Sequence, residues 1–138
     1  MSRPLPVRAT WLPQFSPDLV RAGVWFDVIR VPQETGVQAL HLLAERGHRS
    51  SPAFLDPRGP EPRMYVLIPV TGSHGWNMPG TTALGEGSHV VIPPLEATEG
   101  VNHHWYRPPK AARLFIDPTQ LRDALDHLAT LEAEGGEL

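Results

Sequence analysis

Sixteen prolines and twelve glycines are distributed along these 138 residues. Each proline removes a backbone donor and each glycine loosens the chain, so the elements between them must be short and joined by stiff loops. Long helices and coiled coils are excluded. The length suits a single domain with one core. Apolar residues at 41% and charged residues at 20% are ordinary globular usage and exclude a mainly disordered chain. The absence of cysteine removes disulfides, thiolate metal sites and a thiol nucleophile. The longest apolar runs, such as Tyr65-Val-Leu-Ile-Pro-Val70, are too short to span a bilayer, and the start Met-Ser-Arg-Pro-Leu-Pro has no apolar signal region. The expected location is cytoplasmic, with no membrane contact.

Net charge is −3 and unevenly placed, with eleven basic against nine acidic residues before Asp117 and one against six from there on. A body so close to neutrality lacks the strongly basic stripe of a tight nucleic-acid binder. The acidity sits at the end, in Glu132, Glu134 and Glu137, which form either a solvated tail or a contact for a basic protein partner.

Residues 1–23 hold four prolines and sparse apolar anchors at Trp11, Leu12, Phe15 and Leu19. They read as an arm, with one helical turn capped by Ser16 and entered at Pro17. Val24-Trp-Phe-Asp-Val-Ile-Arg-Val31 is β-branched and aromatic and stops at Pro32, as a strand does. From Gln33 to Arg46, Val37, Leu40, Leu43 and Ala44 recur at helical spacing, and Gly47 ends the run. Strands follow at 52–56, 63–70, 88–92 and 102–107, with 71–87 a glycine-rich loop. Asp117 and Pro118 then open a last helix striped by Leu121, Leu125 and Leu128. This order predicts an α+β fold: a mixed sheet of about five strands with two main helices on one face, spanning 24–130, with the N-terminal arm before it and an acidic tail at 131–138. Alternation along the first strand turns Phe26 and Val28 one way and Trp25, Asp27 and Ile29 the other. With Phe26 and Val28 under the helices, Asp27 lies on the open face.

Few patterns carry chemistry. The seven histidines (41, 48, 74, 89, 103, 104 and 127) lack a helical His-x-x-x-His, and adjacent His103 and His104 point to opposite faces of a strand. Asp27 with His89 and one of that pair is the one conceivable metal site, which would make a small metal-dependent enzyme. Ser50, Ser51, Ser73 and Ser88 are the available hydroxyls near histidines, but Thr71-Gly-Ser-His-Gly75 is a turn and not a nucleophile elbow. Gly85-Glu-Gly87 precedes a strand and reads as a tight turn, not a phosphate loop. Trp76, Trp105 and Tyr106 with Arg107 offer stacking surfaces for bases or sugars, or simply fill the sheet.

Three segments in order are Phe26-Asp-Val-Ile-Arg-Val-Pro32, Arg63-Met-Tyr-Val-Leu-Ile-Pro-Val70, and Leu84-Gly-Glu-Gly-Ser-His-Val-Val-Ile-Pro-Pro94 with His104-Trp-Tyr-Arg-Pro-Pro109. With Asp117-Pro-Thr-Gln-Leu-Arg-Asp-Ala-Leu125, they make the chain resemble short actinobacterial proteins related to the bifunctional primase/polymerase domain, an archaeo-eukaryotic primase-like module. The resemblance spans most of 24–126 and rests on short, apolar motifs. It implies two divalent ions held on carboxylates of an open sheet face. Asp27 matches the first carboxylate of that pattern, but its partner position is Ile29, the third carboxylate falls near Thr82, the basic residue after it at Leu84, and the nucleotide-contacting histidine near Arg63. One carboxylate cannot neutralise or space two hard cations. The expectation is a degenerate, non-catalytic domain without metal or cofactor, acting as a binding or regulatory module for a nucleotide, a nucleic acid or a protein. Its ligand would lie around Asp27, Arg63, His89 and Trp105, with Arg63 able to pair with Asp27 across the sheet.

Overall fold

The computed structural model describes residues 9–49, 51–110 and 114–135. Part of the expected arm, Ser50 and Glu137 lie outside the described residues. Two helices pack on a five-stranded antiparallel sheet, and a two-stranded sheet stands beside it, so the fold is α+β. The elements are β1 (Asp18–Arg21), β2 (Asp27–Pro32), α1 (Gln33–Glu45), β3 (Ala53–Asp56), β4 (Arg63–Ile68), β5 (Thr82–Leu84), β6 (His89–Ile92), β7 (His104–Arg107) and α2 (Pro118–Gly135). The main sheet has the order β5-β2-β4-β3-β7, and β1 pairs with β6 in the small one. Among the described residues no helix is long and apolar enough to cross a membrane.

The main sheet is wholly antiparallel where a mixed one was expected. β2, α1 and β3 form a crossover unit, but β4 inserts between β2 and β3 and runs against both. Parallel neighbours therefore never touch. Two strands were not foreseen. Asp18–Arg21 is a strand rather than a helical turn, because Leu19 and Val20 find Val91 and Val90 of β6 opposite them. Thr82–Leu84 closes the outer edge of β2 from within the expected loop. β2 itself begins later than expected, after a turn closed by the Gly23 amide on the Phe26 carbonyl, which leaves Val24 and Trp25 half exposed. α2 runs past Leu128 to Gly135, 18 residues with no proline after Pro118, so a long helix does form and Leu131–Gly135 of the expected tail is helical.

The core has two layers. Ile29, Val31, Met64, Val66 and Ile68 of the sheet meet Leu40 and Leu43 of α1 and Leu121 and Leu125 of α2. On the other face Phe26, Val28, Phe54, Leu67 and Trp105 are covered by Trp11 and by Val90 and Ile92 of β6. The expected facing of β2 is thus reversed: Ile29, and with it Asp27, lies on the helix side. Both rows of β2 are apolar around Asp27, so alternation separates the rows without telling which goes under the helices.

Candidate functional site

Among the described residues, the small sheet and Trp11 cover one end of the face opposite the helices. At the other end, alternation continues the buried row Val28 and Leu67 outward to Arg30 on β2 and to Tyr65 and Arg63 on β4. Register aligns Arg30 with Tyr65 and with Thr82 of β5, and Pro32 with Arg63. Phe54 and Asp56 of β3 stand opposite Tyr65 and Arg63. The uncovered half of the sheet is therefore a row of guanidinium groups around one aromatic ring. Phe54 stacks on Tyr65 with centroids 4.9 Å apart and planes 3° off parallel, which fixes the ring at no entropic expense to a ligand.

Beside this row opens a cleft of about 880 Å³, lined by Arg30, Pro32, Gln33, Glu61, Arg63 and Thr82 among others. That volume is within the range of small-molecule sites. Among the described residues the Arg30 guanidinium donates one hydrogen bond, to the Thr82 hydroxyl at 3.4 Å, and has no ion-pair partner. Arg63 stands 3.9 Å from the exposed Glu61 carboxylate, a pair too solvated to hold it. α1 begins in the cleft wall behind Pro32 without a side-chain cap, so its first-turn N–H groups add positive potential, partly offset by Glu34. Gln33 contributes a buried Oε1 that accepts from no described group. Cations, a flat ring and a free acceptor are the complement of a phosphate, a planar base and a hydroxyl or amine donor.

On the far side of Tyr65, Asp56 accepts from the Arg58 guanidinium at 2.9 Å, and the His103 Nε2 lies 3.6 Å from its other oxygen. The Arg58 hydrogen bond holds the Asp56 carboxyl below its ordinary value, against burial. Burial pushes the His103 imidazole down, against the pull of Asp56. Asp56 and Arg58 neutralise each other, leaving Arg30 and Arg63 as the charge available to an anion.

The four residues expected to share a site are not brought together. Asp27 is 1% exposed on the helix side, and its Oδ2 accepts the Ser73 amide at 3.0 Å and the Ser73 hydroxyl at 2.5 Å. It is aligned with Ile68, at the opposite end of β4 from Arg63 and on the opposite face, so the expected Asp27–Arg63 pair does not form. His89 lies exposed on β6 across from Arg21. Trp105 is buried in the second core layer, its Nε1 donating to the Pro93 carbonyl at 3.1 Å. Arg63 alone of the four lines the cleft. Of the other expected stacking groups, Trp76 donates to Thr81, and Tyr106 carries Arg107 over its ring on the helix side.

The two-ion arrangement implied by the resemblance does not fit these residues. Asp27 and Ile29 point under the helices, while Thr82, Leu84 and Arg63 lie on the other face. Ser73 closes the one carboxylate, and Gly85 is pressed so near that a Cβ there would stand 2.5 Å from the Ser73 hydroxyl. Asp27 and His89 are likewise not brought together with either His103 or His104, and no group of three or more metal-ligating side chains occurs among the described residues. Arg30 and Tyr65 were missed by sequence reasoning, although the alternation Arg63-Met64-Tyr65 already put Tyr65 beside Arg63. The alignment of Arg30 with Tyr65 had no local signal. No family model, curated protein or solved structure matches the chain.

Proposed function

We propose that this chain is a non-catalytic domain of the primase/polymerase type that binds a nucleoside phosphate, free or at the end of a strand, on the uncovered half of its sheet. One observation carries the reading: Arg30, Tyr65 and Arg63 stand side by side on β2 and β4, next to a cleft of nucleotide size. The guanidinium groups take the phosphates, Tyr65 takes the base, and Gln33 Oε1 accepts from a sugar hydroxyl or a base amine. The resemblance of the sequence supports the same class of ligand, although Arg63 stands where that pattern has a nucleotide-contacting histidine. Binding without polymerisation follows from Asp27, whose carboxylate is engaged by Ser73 away from this face.

The test is thermal denaturation with a nucleoside triphosphate and magnesium. The melting temperature rises, and Arg63→Ala and Arg30→Ala each abolish the rise. No shift at millimolar ligand overturns the proposal. A labelled single-stranded oligonucleotide bound through these two arginines loses affinity with salt at a log–log slope of about −1.4. A much steeper slope places the binding elsewhere. Primer extension gives no product. Synthesis that disappears in Asp27→Asn would show the catalytic part of the reading to be wrong.

A further inference from the structure

The helix side carries a second, chemically different surface. α2 buries Leu121, Ala124 and Leu125 against the core, but its apolar stripe continues through the half-buried Leu128 to Leu131, which is 49% exposed. No described element packs on that extension. Between it, α1 and the turn at Met78–Thr81 runs a groove of about 820 Å³, with Met78, Leu125, Leu128 and Leu131 along its floor. Glu34, Asp126 and Glu132 stand around it, and no lysine or arginine lines it. The groove continues over Val37 and Leu42 of α1, past a fourth carboxylate, Glu45.

We infer that this groove is a docking site for a basic amphipathic segment of another protein, with apolar residues at helical spacing and lysine or arginine beside them. An apolar floor between two helices accepts the i, i+3, i+4 anchors of a third helix, and the methionine adapts to them. Three carboxylates around a groove that no lysine or arginine lines favour a cationic partner and speed its approach. A second copy of this chain does not suit the groove, because a symmetric contact sets the same carboxylates against each other. Nucleic acid is repelled for the same reason. The groove shares Pro32, Glu34, Gln38 and Gly80 with the rim of the Arg30–Arg63 cleft, but Asp126, Leu131 and Glu132 lie outside that cleft, so variants there let either proposal fail alone.

The probe is a labelled peptide of leucine and lysine, about 14 residues or four turns long, with its leucines on one helical face. A scrambled peptide of the same composition and a glutamate version serve as comparisons. Fluorescence anisotropy with the full chain shows the leucine–lysine peptide binding about tenfold more tightly than the scrambled one, and the glutamate version not binding. Leu131→Ala and the double variant Asp126→Lys/Glu132→Lys each weaken it about tenfold, whereas Leu19→Ala on β1 changes nothing. These positions are at the surface, and unchanged melting temperatures establish that the variants are folded. Equal binding of the scrambled peptide, or full binding by both groove variants, overturns the inference by reducing it to general attraction to an acidic protein. A dimer of the chain that Leu131→Ala disperses overturns it in favour of self-association.

Discussion

Ser73 supplies both donors to the buried Asp27 carboxylate, one from its amide and one from its hydroxyl, and thereby ties the 71–75 turn to the start of β2. The second oxygen, Oδ1, is buried without a partner among the described residues, of which Ser73 alone holds this side chain by hydrogen bonds. Removing it strands two donors in a closed site. Asp27→Ala should therefore lower stability by about 2 kcal/mol, while Asp27→Asn, which keeps an acceptor for the Ser73 amide, lowers it less. Urea denaturation distinguishes the two, and equal losses would show that the carboxylate acts by packing alone. His103 makes a different prediction. Burial holds its imidazole below the ordinary value, so the unfolded chain takes up a proton at a higher pH than the folded one. The associated stability is complete above the ordinary imidazole range and is lost as pH falls through it. Melting temperatures measured from about pH 8 to about pH 5.5 should decline, and His103→Gln should flatten that decline. A wild-type profile as flat as the variant's would remove His103 as the cause.

Among the elements, α1 lies closest to the sheet, and the contact depends on one residue. A Cβ on Gly36 would stand 2.6 Å from the Met64 sulfur and 2.9 Å from both the Met64 Cβ, which the backbone holds in place, and a methyl of the stiff, branched Val31. In an open helix, Gly→Ala gains about 1 kcal/mol, whereas overpacking costs about 1–3 kcal/mol. The contact is tight enough for the second effect to win, so Gly36→Ala should destabilise the fold by about 1–2 kcal/mol, read from the denaturation midpoint. A gain in stability would mean that α1 can lift from β4. β1 shows the opposite relation between element and context. Four residues with an exposed Leu19 have little reason to be extended until β6 aligns with them. The helical turn expected at Ser16-Pro17-Asp18 satisfied local capping rules and lost to that pairing.

At the scale of the molecule, the described residues clothe both faces of the sheet for half its length and only the helix face for the rest. Trp11 meets the Phe26 ring edge-on at 5.0 Å and stacks near Phe115, so the segment before β2 is part of the core. Deleting residues 1–22 removes Trp11 and β1 together and uncovers Phe26, Val28, Leu67 and Ile92. The shortened chain should lose cooperative unfolding and bind a hydrophobic dye. Retention of a sharp, native melting transition would show instead that this segment is an appendage. Much of this architecture was legible along the chain. The Gln33–Glu45 helix follows from its three- and four-residue spacing, and the second helix from its Asp-Pro start. Five strands follow from short apolar runs between prolines, because capping, spacing and breaks act over a few residues that sequence alone displays. The site was less legible. Arg63 was singled out, but Asp27, His89 and Trp105 went to a buried turn, an outer strand and a core layer. Which face of β2 lies under the helices, which edge captures β5, and which arginine stands beside Tyr65 are settled by contacts between residues far apart in the chain. Two equally apolar rows have no local difference in energy, so only packing the whole sheet could choose between them.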